Sequence, residues 1–228
     1  MSAAAEKRQF DTGAAVTRSL LGWGMVVGPF YLVVGLILAL TRPGFELTTH
    51  PLSLLMVGDH GWLQTTNLAL SGLMTLAAAV GFRRALVESR AGRVTSTLVG
   101  VFGLCMIASA VFEPDPMAGF PAGAEESVTT TGLLHFTFGA IGFLAMAIAC
   151  FVLARWFAQR GEGSAARWSR IAGGLVVVGF FGGGAASTYA VGVGLLWVAV
   201  VTIWVWLLVS SVRVYATVPH PDGSTPHT

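Results

Sequence analysis

The feature that most constrains this chain is the distribution of its charged residues. Six long apolar stretches have no Asp, Glu, Lys or Arg in their interiors. Each is close to the ~20 residues that an α-helix needs to cross a bilayer. The stretches predict helices over residues 20–40, 62–82, 95–112, 133–154 and 171–189, and a sixth helix that ends near Arg213. The expected fold is therefore all-α, a polytopic membrane bundle of six transmembrane helices.

The composition agrees with lipid as the main solvent. Of the 228 residues, 54% are hydrophobic and 11% are charged, whereas soluble domains carry about 25% charged residues. We expect one membrane domain over residues 20–214, between a cytoplasmic tail over 1–19 and a disordered cytoplasmic tail over 215–228. The net charge is only +2, and no basic patch is interleaved with aromatic residues, so nucleic acid is not an expected partner.

The basic residues predict the orientation of the bundle. Twelve of the thirteen Lys and Arg residues lie in the two tails, near the ends of the first and last helices, and in the loops 83–93 and 155–170. Arg42 is the one that lies in the remaining loops. Because cytoplasmic loops are enriched in Lys and Arg, we expect both termini in the cytoplasm. The predicted location is the cytoplasmic membrane of a prokaryotic cell, with the lipid bilayer as the main partner.

The second helix contains a predicted polar stripe. His60, Gln64, Asn67 and Ser71 are spaced at i, i+4, i+7 and i+11, which places them on one face of a helix. Such a face is costly in lipid, so it should point into the bundle or into a wet cavity. One interpretation is a pocket that opens at the outer face. The other is hydrogen bonding between helices, which is common in membrane bundles.

Further ionisable residues are predicted at the same outer face. His50, Asp59 and His60 precede or open the second helix, Asp115 follows the third, and His135 opens the fourth. Together with the stripe they define a predicted ligand pocket for a small molecule or lipid headgroup. Its candidate residues are His50, His60, Gln64, Asn67, Ser71, Asp115 and His135.

The same residues permit two kinds of chemistry. His50, His60, His135 and Asp115 are candidate metal ligands, and a set of His and carboxylate ligands suits zinc. Alternatively, His60, His135 and Asp59 could act with water or with Ser53 in acid–base or nucleophilic catalysis. No HExxH, HxxxH or GxSxG motif supports either idea. Helix capping and turn formation explain many such residues at a membrane interface equally well.

Two blocks of sequence resemble a known family. The first is HPLSLL at residues 50–55, followed by GWLQ at 61–64 and Asn67. It is similar to the signature of the bacterial and archaeal domain-of-unknown-function family 998. The resemblance covers about residues 20–212.

The second block is shorter and consists of FEPDP at residues 112–116, followed by Pro121, Gly132 and His135. The family contains multi-helix membrane proteins without an assigned function, so the resemblance implies topology and not activity. It draws attention to His50, Ser53, Trp62, Gln64, Asn67, Asp115 and His135.

Three functional hypotheses follow from the sequence. The leading one is a non-enzymatic membrane protein whose outward-facing polar pocket binds a small molecule or a lipid headgroup. The second is a metal-assisted or acid–base hydrolase that acts at the outer face. The third is a transporter or an assembly subunit. We expect no cofactor in the first case and zinc in the metal-assisted one.

Overall fold

A computed structural model describes residues 10–222, and within them the chain folds into six helices and no named strand. The helices are α1 (Thr12–Thr41), α2 (Gly61–Ala85), α3 (Arg90–Val111), α4 (Thr130–Gln159), α5 (Gly163–Val177) and α6 (Ala190–Tyr215). The helix α5 continues through a π-helical turn, Val178–Gly182, into Gly183–Ala185. All except α5 are long and apolar enough to span a membrane. The predicted all-α membrane bundle of six helices is confirmed.

Several helices extend beyond the predicted apolar spans. Helix α1 begins at Thr12 rather than at residue 20, because the Asp11 side chain accepts a hydrogen bond from Ala14 N at 2.9 Å and caps the helix. The last described residues contact the start of α1. Asp11 N donates to Pro221 O at 2.7 Å, and Arg18 Nη1 donates to Val218 O at 2.7 Å. Residues 1–9 and 223–228 of the predicted tails lie outside the described part.

The six helices form a ring in chain order. Each helix packs against the next one along the chain, and α6 packs against α1 to close the ring. We call the end with residues 42–60 and 112–129 the loop end, and the end with the loops 83–93 and 155–170 the arginine end. Towards the arginine end, the centre of the ring is filled by fully buried side chains such as Cys150, Leu153 and Leu207.

The loop between α1 and α2 folds into the ring instead of lying on its surface. It contains a 3₁₀ helix, Leu52–Met56, in which Leu54, Leu55 and Met56 are buried. At Gly61 a Cβ atom would lie 1.8 Å from the carbonyl oxygen of Met56. Only glycine permits this approach, so the first residue of α2 fixes how the loop enters the ring.

Helix α5 changes its neighbour along its length. From Gly163 to Val177 it packs closely against α4, whereas the π-helical turn packs mainly against α6. Gly179 and Gly183 allow this contact, since Cβ atoms there would lie 2.7 Å from Leu195 O and 2.8 Å from Gly192 O. Towards the loop end, α4 and the continuation of α5 are therefore separated, and the space between them opens into the ring.

Candidate functional site

A cavity of about 740 Å³ occupies the loop half of the ring. Its volume falls in the range of ~300–1,000 Å³ that is typical of small-molecule sites. All six helices contribute to its walls, and residues 51–53, 114–117 and 126–128 line its mouth at the loop end. The walls are mainly apolar, and most of the polar side chains lie near the loop end. The cavity is thus apolar at depth and polar at its mouth.

Two aromatic rings form the deepest part of the cavity. Phe102 of α3 and Trp204 of α6 contact each other across the ring, with centroids 5.7 Å apart. Beyond them towards the arginine end, Cys150 and Leu207 have no exposed surface. Among the described residues, packed side chains therefore close the cavity towards the arginine end.

The side wall between α4 and α5 consists of aromatic side chains. Phe180 stacks on Phe143 with centroids 4.2 Å apart and on Phe136 with centroids 5.8 Å apart. On each side of this wall, a glycine lies next to an aromatic side chain of the other side. A Cβ atom at Gly184 would lie 3.2 Å from Phe136, and one at Gly139 would lie 3.6 Å from Phe180. Phe136 is 53% exposed. Side chains rather than closely packed backbones thus separate the cavity from the lipid-facing surface here.

Asp115 anchors the loop over the N-terminus of α4. Its carboxylate accepts from Thr129 N at 3.2 and 3.1 Å and from Thr129 Oγ1 at 2.5 Å. Thr129 is the N-cap of α4 and accepts from Gly132 N at 3.1 Å. A Cβ atom at Gly132 would lie 2.0 Å from Asp115 Oδ2. The carboxylate therefore sits directly on the first turn of α4, where the helix dipole favours a negative charge.

His135 joins α4 to the last turn of α3. Its Nδ1 lies 2.9 Å from both Ser109 O and Phe112 O, and Ser109 Oγ donates to His135 O at 3.3 Å. Because carbonyl oxygens only accept, Nδ1 carries the hydrogen. In the neutral ring the other nitrogen, Nε2, is then an acceptor. No described residue hydrogen-bonds to Nε2, and His135 lines the cavity.

The polar stripe of α2 is buried, but it does not line the cavity. Gln64, Asn67 and Ser71 are each at most 2% exposed. Asn67 Nδ2 donates to Tyr31 O at 3.2 Å and to Gln64 Oε1 at 3.1 Å, which ties α2 to α1. Asn67 Oδ1 and Ser71 Oγ have no partner in the described structure. The cavity is lined instead by Tyr31 and Leu68 of these two helices.

His60 and Asp59 do not join the stripe. His60 is the N-cap residue of α2 and has φ 66°, so its backbone is left-handed and not helical. Both residues are exposed. His60 lines a separate cleft of about 410 Å³ together with Glu113 and Trp62. The spacing in the sequence implied one helical face, but the helix begins one residue too late to include His60.

His50 is buried and holds two loops together. Its Nδ1 accepts from Glu46 N at 2.9 Å, and its Nε2 lies 3.1 Å from Ala118 O. Both ring nitrogens are thus used by backbone groups. The ring also contacts Phe45 and Phe120, each with centroids 5.3 Å apart. Ser53, a few residues further on, lines the cavity.

The predicted site residues therefore divide into four places. Ser53, Asp115 and His135 line the cavity, the stripe lies between α1 and α2, His60 lies at the second cleft, and His50 lies between loops. No group of three His, Cys, Asp or Glu residues in the described part of the chain could hold a metal ion. The predicted zinc ligands are thus not brought together among residues 10–222.

Several cavity residues were not predicted from the sequence. Glu126 and Ser127 lie in a loop without regular structure, and Phe136, Phe143 and Phe180 look like ordinary lipid-facing residues in a membrane helix. A weak signal exists in the pairing of aromatic residues with nearby glycines on α4 and α5. It becomes meaningful only once these two helices are known to face each other.

The fold and the length of its apolar helices define a multi-pass integral membrane protein. The model of a family described as "Protein of unknown function (DUF998)" matches residues 25–213. The chain belongs to this family, which confirms the resemblance noted from the sequence. No curated protein and no solved structure matches the chain.

Proposed function

We propose that this membrane protein binds an amphipathic molecule of the bilayer, with its apolar chain in the cavity and its polar end at the loop end. The observation that carries this proposal is the mainly apolar cavity of about 740 Å³ with polar side chains at its mouth. The sequence-based hypothesis placed a small molecule or a lipid headgroup in an outward-facing pocket that includes the polar stripe of α2. The stripe is buried between α1 and α2 and does not line the cavity. The mainly apolar cavity therefore fits the apolar part of a ligand better than its headgroup.

The cavity walls favour binding over transport. Fully buried side chains fill the ring between the cavity and the arginine end, so a through-going path has no support among the described residues. The aromatic wall of Phe136, Phe143 and Phe180 supports access from the bilayer, because side chains move more readily than packed helices. The distribution of basic residues supports an arginine end that faces the cytoplasm and a cavity that faces outwards.

A pair of adjacent valines on α6 offers a test. Val200 lines the cavity, whereas Val201 is 40% exposed and does not. The variant Val200→Phe places a ring in the cavity, and Val201→Phe adds the same ring outside it. Binding is measured in lipid nanodiscs as competition between an apolar fluorescent dye and dodecanol.

We expect Val200→Phe to weaken dye binding by at least about tenfold, which corresponds to about 1.4 kcal/mol. Val201→Phe should bind the dye as the unchanged protein does. Equal binding by both variants, or dye fluorescence no higher than that of empty nanodiscs, would refute the proposal. Thermal unfolding of both variants shows that each is folded.

A further inference from the structure

We propose that the polar end of the ligand is a hydrogen-bond donor without negative charge, a hydroxyl or an ammonium group. This inference rests on the proposed binding function and names the class of ligand. It excludes fatty acids and other amphipaths whose polar end is anionic. Three features of the cavity mouth carry it: the sign of its charges, the occupied N-terminus of α4, and the acceptor nitrogen of His135.

The charges at the mouth are of one sign. Asp115 and Glu126 line the cavity, and no Lys or Arg among the described residues does so. Glu126 Oε1 accepts from Ala118 N at 2.7 Å, which holds this carboxylate beside the loop 114–117. Glu126 is exposed, so its repulsion of a second negative charge has the modest size expected in a water-like medium. An anionic headgroup would therefore be repelled at the point where the ligand's polar end must lie.

The helix N-terminus that could stabilise a bound anion is already occupied. Helix N-termini bind anions because their free N–H groups and the helix dipole point at the ligand. At α4 this position is occupied by the protein's own Asp115, which accepts from Thr129 N and Thr129 Oγ1. Gly132 lets the carboxylate approach so closely that a Cβ atom would overlap with it. The positive end of α4 is thus not available to a negatively charged ligand.

His135 adds an acceptor to the same wall. Its Nδ1 hydrogen is directed to the carbonyl oxygens of Ser109 and Phe112, both at 2.9 Å. In the neutral ring Nε2 can then only accept a hydrogen bond. Together with the carboxylates of Asp115 and Glu126, it makes a mouth rich in acceptors. A ligand that donates a hydrogen bond satisfies His135 Nε2, whereas an ester or a carboxylate leaves this nitrogen unpaired.

Four compounds with the same chain separate these possibilities. Dodecanol, dodecylamine, methyl dodecanoate and dodecanoate compete with an apolar fluorescent dye for the protein in nanodiscs at neutral pH. The signal of Val200→Phe is subtracted to remove partition into the bilayer. We expect dodecanol or dodecylamine, or both, to bind at least about tenfold more tightly than dodecanoate, a difference typical of well-placed polar contacts.

The relative affinities of the two donors identify the headgroup. Tighter binding of dodecylamine points to a cationic ligand, and equal or tighter binding of dodecanol points to an uncharged alcohol. Equal affinities for all four compounds would overturn the inference while leaving the proposed function intact. Tightest binding of dodecanoate or of the ester would also overturn it. Failure of every compound to displace the dye would overturn the inference and the proposed function together.

Two adjacent glutamates provide a matched pair of variants. Both are exposed, but Glu126 lines the cavity and Glu125 does not. The variant Glu126→Gln should improve dodecanoate binding on the order of threefold, the effect of one unit charge several ångströms away in a water-like medium. Glu125→Gln should leave dodecanoate binding unchanged, and dodecanol binding should not change in either variant. An equal effect of both variants would indicate a general surface charge effect and contradict the inference.

Discussion

The contact between Asp115 and Gly132 gives the sharpest test of the loop-end architecture. The variant Gly132→Ala adds a Cβ atom that would lie 2.0 Å from Asp115 Oδ2 and 2.3 Å from its Cγ. Real Cβ atoms do not approach other atoms this closely, so the carboxylate must move. It then loses its hydrogen bonds to Thr129 N and Thr129 Oγ1, and the first turn of α4 loses a favourable charge.

The size of the effect follows from these contacts. Hydrogen bonds to a charged group contribute ~1.5–3 kcal/mol, and a disturbed N-cap costs ~1 kcal/mol. We expect Gly132→Ala to destabilise the protein by about 2–4 kcal/mol. Gly139→Ala on the same helix is the control, because its Cβ atom would lie at an ordinary 3.6 Å from Phe180. There, the higher helix propensity of alanine should leave the stability unchanged or raise it by up to ~1 kcal/mol.

The assay is reversible unfolding by a denaturing detergent, followed by circular dichroism. A double-mutant cycle with Asp115→Ala isolates the contact, because Gly132→Ala should cost little once the carboxylate is gone. We expect a coupling of more than ~1 kcal/mol between the two positions. If Gly132→Ala were as stable as Gly139→Ala, or if the two changes were additive, Asp115 would not sit on the first turn of α4.

Two further predictions concern the aromatic wall and the arginine end. The variant Phe180→Ala opens the wall between α4 and α5, so dye exchange between the cavity and the bilayer should become faster in stopped-flow measurements. Phe181→Ala should not change the exchange rate. Equal rates in the two variants would contradict access through this wall. Arg18 donates to Val218 O, so Arg18→Ala should increase hydrogen exchange in residues 215–222, and exposed Arg167→Ala should not. Unchanged exchange in Arg18→Ala would refute the role of this contact.

Much of the fold follows from the sequence because lipid imposes a simple rule. A membrane helix must satisfy its own backbone and present about 20 apolar residues, so charge-free stretches predict helices directly. The course of α5 is harder to predict from the sequence, because its π-helical turn at Val178–Gly182 depends on packing against α6. The extension of α1 to Thr12 depends on the Asp11 cap, which lies outside the apolar span.

The candidate site was only partly predictable. Asp115 follows α3 and His135 lies near the start of α4. The order of the helices along the chain therefore places both residues at the loop end, where they line the cavity. The α2 stripe was correctly expected to avoid lipid, but spacing alone does not show whether α1 or a cavity lies opposite Asn67. His60 was assigned to the stripe because a helix start cannot be read to one residue, and its left-handed backbone removes it from that face.

Native mass spectrometry of the protein released from its own membrane tests the central claim most directly. We predict one bound amphipathic molecule per chain in the unchanged protein and in Val201→Phe, and none in Val200→Phe. Fragmentation of the bound molecule should identify a hydroxyl or ammonium headgroup. A chain that carries no ligand, or one that retains the same ligand in Val200→Phe, would contradict binding in the cavity.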